Sequence, residues 1–120
     1  MNSQRRKLQI LRKLINSNDI TCIQEVHGDK NTIKEFMLSF KENHYFFFSV
    51  FGSGDCVACN DFNEADIDTE IRAGGILTIV RKASFPADAK FSYTVLVEGR
   101  ALVTSIKFAN KQLDVLNLHN

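Results

Sequence analysis

From Gly74-Gly75 onward the chain is strand upon strand, and that run limits its fold more than any other feature. Ile76-Leu77-Thr78-Ile79-Val80 is a short apolar stretch rich in β-branched residues. Tyr93 to Val97 is a second, and Arg100 to Phe108 alternates well enough to lie half-buried on a sheet. Ala109-Asn110-Lys111 is a short turn into residues 112–118, so the last two strands are expected to form a hairpin.

The front half reads differently. Leu8, Leu11, Leu14 and Ile15 recur at helical spacing and predict an amphipathic helix over roughly residues 3–17, with its basic residues on the open face. Asn18-Asp19 breaks it, and the apolar run 20–26 follows as a strand. Ile33, Phe36, Met37 and Phe40 mark a second helix, with Asp29 or Asn31 available as its cap. Tyr45 to Phe51 is an aromatic-rich strand. Its consecutive phenylalanines are expected to bury on both sheet faces rather than to stack on bases. Helix–strand units followed by a strand-rich half predict α/β layering with an antiparallel contribution to the sheet.

A chain of 120 residues, 44% hydrophobic and 24% charged, has room for one modest domain. No apolar run approaches a membrane span, and the basic N-terminus has no apolar stretch of secretory type behind it, so an intracellular location, nuclear or cytoplasmic, is expected without membrane contact. Three cysteines, an odd number without framework spacing, fit a reducing compartment.

The net charge of +1 hides an uneven distribution. Residues 52–72 hold six acids against Arg72 alone, between two mildly basic blocks. No dense basic patch of an electrostatic nucleic-acid binder is present, but a phosphate-handling enzyme can draw its positive charge from a metal ion. The acidic stretch lacks the register of an EF-hand and reads as a solvated loop. Cys56-Val57-Ala58-Cys59 has no second Cys/His pair at zinc-site spacing and reads as two loop thiols. Arg5-Arg6-Lys7 and Arg12-Lys13 read as the wet side of the first helix.

Two stretches carry the functional signal. Ile20-Thr21-Cys22-Ile23-Gln24-Glu25-Val26-His27 is an apolar run ending in a carboxylate. Leu113-Asp114-Val115-Leu116-Asn117-Leu118-His119-Asn120 is an apolar run ending in amides and an imidazole. Strands that deliver polar groups at their C-terminal ends are where α/β proteins build sites. With Gly74-Gly75-Ile76-Leu77-Thr78-Ile79-Val80-Arg81-Lys82 and Gly99-Arg100-Ala101-Leu102-Val103 between them, these landmarks stand in a definite order. In that order the chain resembles the first half of the endonuclease/exonuclease/phosphatase superfamily, the metal-dependent phosphoesterases related to deoxyribonuclease I. The extension Gln24-Glu25-Val26-His27-Gly28 looks closest to the endonuclease domains of non-LTR retrotransposons.

The resemblance implies a four-layer α/β sandwich, two face-to-face mixed sheets flanked by helices. This chain would supply most of one sheet and part of its helical cover. It implies a phosphodiester hydrolase, most simply an endonuclease on DNA, using Mg²⁺ or Mn²⁺. A phospholipid or inositol-phosphate phosphoesterase and a non-catalytic remnant or interaction module are the alternatives. Glu25 takes the family's metal-ligand role, which suits a hard cation that prefers carboxylate oxygens and waters. Gln24, one residue earlier, should point to the opposite face.

His119 matches a histidine read in some members as general acid near the leaving oxygen, a task suited to imidazole. Other members carry a tyrosine in this region. Asn117 and Asn120 could hold a phosphate oxygen or orient His119, and Arg100 is expected to pair with a carboxylate. The family's later Asp-x-Asn pair, further Asp and Asp-His pair are not found in order, since Asp61-Phe62-Asn63 precedes Gly74-Gly75. The expectation is therefore a truncated, inactive fragment whose uncovered sheet face and last strand favour self-association.

Overall fold

The computed structural model describes residues 3–26, 38–40, 42–49, 57–58 and 75–119. The expected first helix is present as α1 (Ser3–Ser17). It offers Ile15 to the core, 1% exposed, while Ile10 and Leu14 remain largely in solvent. Asn18 ends it by donating its side-chain amide to the Leu14 carbonyl at 2.7 Å, which satisfies one of the acceptors a helix C-terminus leaves open.

Seven strands follow among the described residues: β1 (Ile20–Val26), β2 (His44–Ser49), β3 (Val57–Ala58), β4 (Gly75–Arg81), β5 (Lys90–Val97), β6 (Ala101–Phe108) and β7 (Lys111–Leu118). They form a four-stranded sheet in the order β1-β4-β2-β3 and a three-stranded sheet in the order β5-β6-β7. The described residues are thus mostly β, one helix and two sheets, and the expected second helix and the Cys56–Cys59 pair fall essentially outside them.

Two expectations are corrected. Every pairing among the described strands is antiparallel, because β4 inserts between β1 and β2 and runs opposite to both. The chain also supplies two sheets rather than most of one, since the 82–89 connection lets the final three strands pair with one another instead of extending the first sheet.

The two sheets pack on each other. Phe47, Ile76 and Val80 from the first meet Leu102 and Ile106 from the second, all between 0 and 1% exposed. Cross-strand pairing fixes which side chains share this face: Ser49 with Ile76, Phe47 with Thr78, Tyr45 with Val80. The alternate set, Phe46, Leu77 and Ile79, is buried on the other side of the sheet that carries α1 contacts. Hence β4 is apolar at successive positions, as a strand covered on both faces must be. From the aromatic run of β2, Phe47 belongs to this core and Phe46 is fully buried on the opposite face.

Turns and an ion pair lock the ends. Ala109 and Asn110 both have positive φ, 49° and 62°, the backbone of a two-residue hairpin turn whose twist suits β6 and β7. Arg81 is a hub at the far end of β4. It pairs with Asp19 at 2.9 Å and donates to the Asn16 carbonyl at 3.1 Å and to Ser84 Oγ at 2.9 Å, tying β4 to the α1–β1 junction. Hydrogen bonds from Ser84 and Arg81 hold the Asp19 carboxyl below the usual carboxylate range. His44 is buried beside Phe40, and loss of hydration pushes its imidazole pKa down.

Candidate active site

The two sequence motifs meet at one end of the sandwich, although they lie 93 positions apart. β1 carries Gln24 and Glu25 toward that end, and β7 carries Asn117 with His119 just beyond it. Gln24 Nε2 donates to Asn117 Oδ1 at 2.8 Å, so an amide pair bridges the sheets. Asn117 Nδ2 then donates to the Leu77 carbonyl at 3.0 Å and to Thr78 Oγ1 at 3.2 Å, both on β4. Asn117 is 1% exposed.

With its oxygen accepting and its amide donating twice, Asn117 is a satisfied buried amide. The inward direction of Gln24 follows from the pairing of Gln24 with Ile76, a core residue. Immediately after Gln24 the register with β4 shifts, Gln24 facing Ile76 and Val26 facing Gly75, which places a bulge at Glu25.

The neighbouring turn is also built to hold its shape. Gly99, at φ 68°, takes a left-handed conformation that suits glycine, and its N–H donates to the buried Ser49 Oγ at 2.8 Å. Arg100 follows, its N–H on the Val97 carbonyl at 2.9 Å, and its own carbonyl accepts from His119 N–H at 2.8 Å. His119 is therefore fixed by its backbone beside the β5–β6 turn and is half-buried.

A hard cation asks for carboxylate, carbonyl and water oxygens. At this end Asn117 Oδ1 already accepts from Gln24, and Ser49 Oγ accepts from Gly99. Among the described residues no three His, Cys, Asp or Glu side chains are grouped to hold a metal. The Glu25 side chain lies outside the described residues. Asn120 and the Cys56–Cys59 pair lie outside the described residues.

Sequence reasoning brought Glu25, Asn117 and His119 forward but missed the bridge between Gln24 and Asn117 and its anchor on β4. A signal was present. Along β7 the inward positions are Leu113, Val115 and Asn117, and an amide in an otherwise apolar series needs a buried partner.

No protein-family model, curated protein or solved structure matches this chain. No helix among the described residues is long and apolar enough to cross a membrane.

Proposed function

We propose that the chain is the front portion of a metal-dependent phosphodiester hydrolase domain, an endonuclease acting on DNA. The observation that supports this most is the convergence of the Gln24-Glu25 and Asn117–His119 strand ends, joined by the 2.8 Å amide bond. In this reading the two sheets are the inner layers of a four-layer α/β sandwich, and α1 belongs to an outer layer.

Glu25 contributes one ligand to Mg²⁺ or Mn²⁺, which when bound neutralises phosphoryl charge and lowers the pKa of a water. His119 is the proton donor to the leaving oxygen. Gln24 and Asn117 touch neither substrate nor metal and set the spacing of the two strand ends. The remaining carboxylates and the general base belong to a later part of such a domain. Alone, the chain should show negligible cleavage, because members of a catalytic unit are strongly non-additive.

The test is a chain completed with a C-terminal half from this family. It should cleave a DNA phosphodiester with Mg²⁺ or Mn²⁺ and not in chelator. Glu25→Gln should remove most of that activity while leaving the melting transition in place. Undiminished cleavage by Glu25→Gln would sink the assignment.

One observation favours a second reading, a non-catalytic module that self-associates. On the outer side of the three-stranded sheet Leu96, Val97, Leu116 and Leu118 are each more than half exposed. This apolar patch borders β7, which among the described residues has a strand neighbour on one side only. A free edge next to an apolar face suits a second copy of the same chain.

A further inference from the structure

The opposite end of the sandwich carries a feature that neither motif accounts for. β7 runs from Lys111 to Leu118, so its start lies about 20 Å from the Asn117 bridge at the usual rise of a strand. There the two sheets part around a cleft of about 500 Å³, walled by Tyr45, Phe85, Phe91 and Pro86. Its rings are in mutual contact: Tyr45 with Phe91 at 4.5 Å between centroids, Phe85 with Phe91 at 6.2 Å edge to face. Unlike Phe46 and Phe47, these aromatics are only half-buried and keep open surface. Lys82 places its ammonium 4.8 Å from the Tyr45 ring, so a cation already stands at the rim.

A second concavity of about 410 Å³ adjoins it and is lined by Lys90, Lys107 and Lys111. Phe108 lines it too and packs against Phe85 at 5.5 Å, which makes the two hollows neighbours. Lys90 and Lys107 face each other directly across β5 and β6. Like charges in that position repel, and a polyanion relieves the repulsion. Among the described residues none of the three lysines is in an ion pair. Two acids are nearby. Asp88 lines the same concavity, and Asp114 lies one row along the sheet, with its carboxylate taken by Gln112 and Ser105 and also drawn by Lys107.

We propose that this end of the molecule binds single-stranded nucleic acid, with a base stacked in the Tyr45–Phe85–Phe91 cleft and backbone phosphates on Lys90, Lys107 and Lys111. Aromatic faces beside a cationic track are the recurrent chemistry of such binding, because every base has a π-face and every linkage a charge. A duplex hides its bases from the cleft, and a flat bilayer does not enter a recess. Binding needs no metal and no cleavage, so it stands or falls apart from the hydrolase reading.

The experiment is fluorescence anisotropy of the full chain with labelled oligothymidylate of about 12 nucleotides, in EDTA. Lys90→Glu with Lys107→Glu should weaken binding at least tenfold. The same pair should flatten the dependence of log K on log salt by roughly 1.4, the share of two phosphates. Phe85→Leu should weaken binding roughly fivefold or more with the salt slope unchanged. The chain has no tryptophan, so quenching of its tyrosine emission by the bound bases reads stacking even if Phe85→Leu fails to fold. The proposal is overturned by absence of binding, by unquenched tyrosine emission, or by lysine variants that bind as the parent does. It is also overturned if an abasic oligomer, a duplex or anionic phospholipid vesicles bind as tightly as oligothymidylate.

Discussion

In β4 every residue from Gly75 to Val80 is buried, whereas in β7 the one buried side chain is the amide of Asn117, and the outward Leu116 and Leu118 stand in solvent. Both strands are rich in leucine, isoleucine or valine, so hydropathy does not separate them. Position does. β4 is the middle of its sheet, with a strand on each side, the second sheet on one face and α1 contacts on the other. β7 is an edge, and its outer face has no layer over it among the described residues. A strand acquires its burial from what is packed against it, and the same leucine is core in one place and surface in the other.

The comparison predicts a steep difference in mutational cost. Phe47→Ala, which empties a site where both sheets meet, should cost about 3–5 kcal/mol in denaturant unfolding. A loss under about 1 kcal/mol would mean that the two sheets do not share one core.

Asn117→Ala should come next, at about 1–3 kcal/mol, despite removing only polar atoms, because it strands the Leu77 carbonyl and the Gln24 amide. A double-mutant cycle with Gln24→Ala should return a coupling of roughly 0.5–1.5 kcal/mol. Additive losses would show that the inter-sheet amide pair does not act as a unit.

Thr104 offers the reverse effect. It is fully buried on β6, and its hydroxyl has no hydrogen-bond partner among the described residues. Thr104→Val should therefore raise stability by about 1 kcal/mol, seen as a higher denaturant midpoint with an unchanged slope. An unchanged or lower midpoint would reveal a partner for that hydroxyl.

The smallest change in fold stability belongs to the exposed leucines. Leu116→Lys with Leu118→Lys should stay within about 0.5 kcal/mol of the parent per site. If the outer face pairs two copies, sedimentation should show the parent heavier than a monomer at high concentration and the double variant monomeric. Identical sedimentation of the two would remove the self-association reading.

Much of this fold was legible in the sequence, and for local reasons. The leucine spacing of α1 and the apolar run of β4 are written in periodicity, which neighbours along the chain are enough to produce. So is the β6–β7 hairpin, because a two-residue turn pairs the strands it joins. The candidate site was legible at Glu25, Asn117 and His119 as strand-end polar groups, but not as a geometry.

What the chain could not express by itself is every relation between segments distant in sequence. That β4 enters between β1 and β2 makes the first sheet antiparallel, and that β5 to β7 form a second sheet covers the first. Neither choice has a local signature, because antiparallel partners are selected by which faces must be buried together. Asn117 shows the difference at one residue. Its identity and its inward parity were set by sequence, but its role as the clasp between Gln24 and β4 exists only because two sheets met. The lysines of β5, β6 and β7 are likewise scattered along the chain, and only strand pairing gathers them around one concavity.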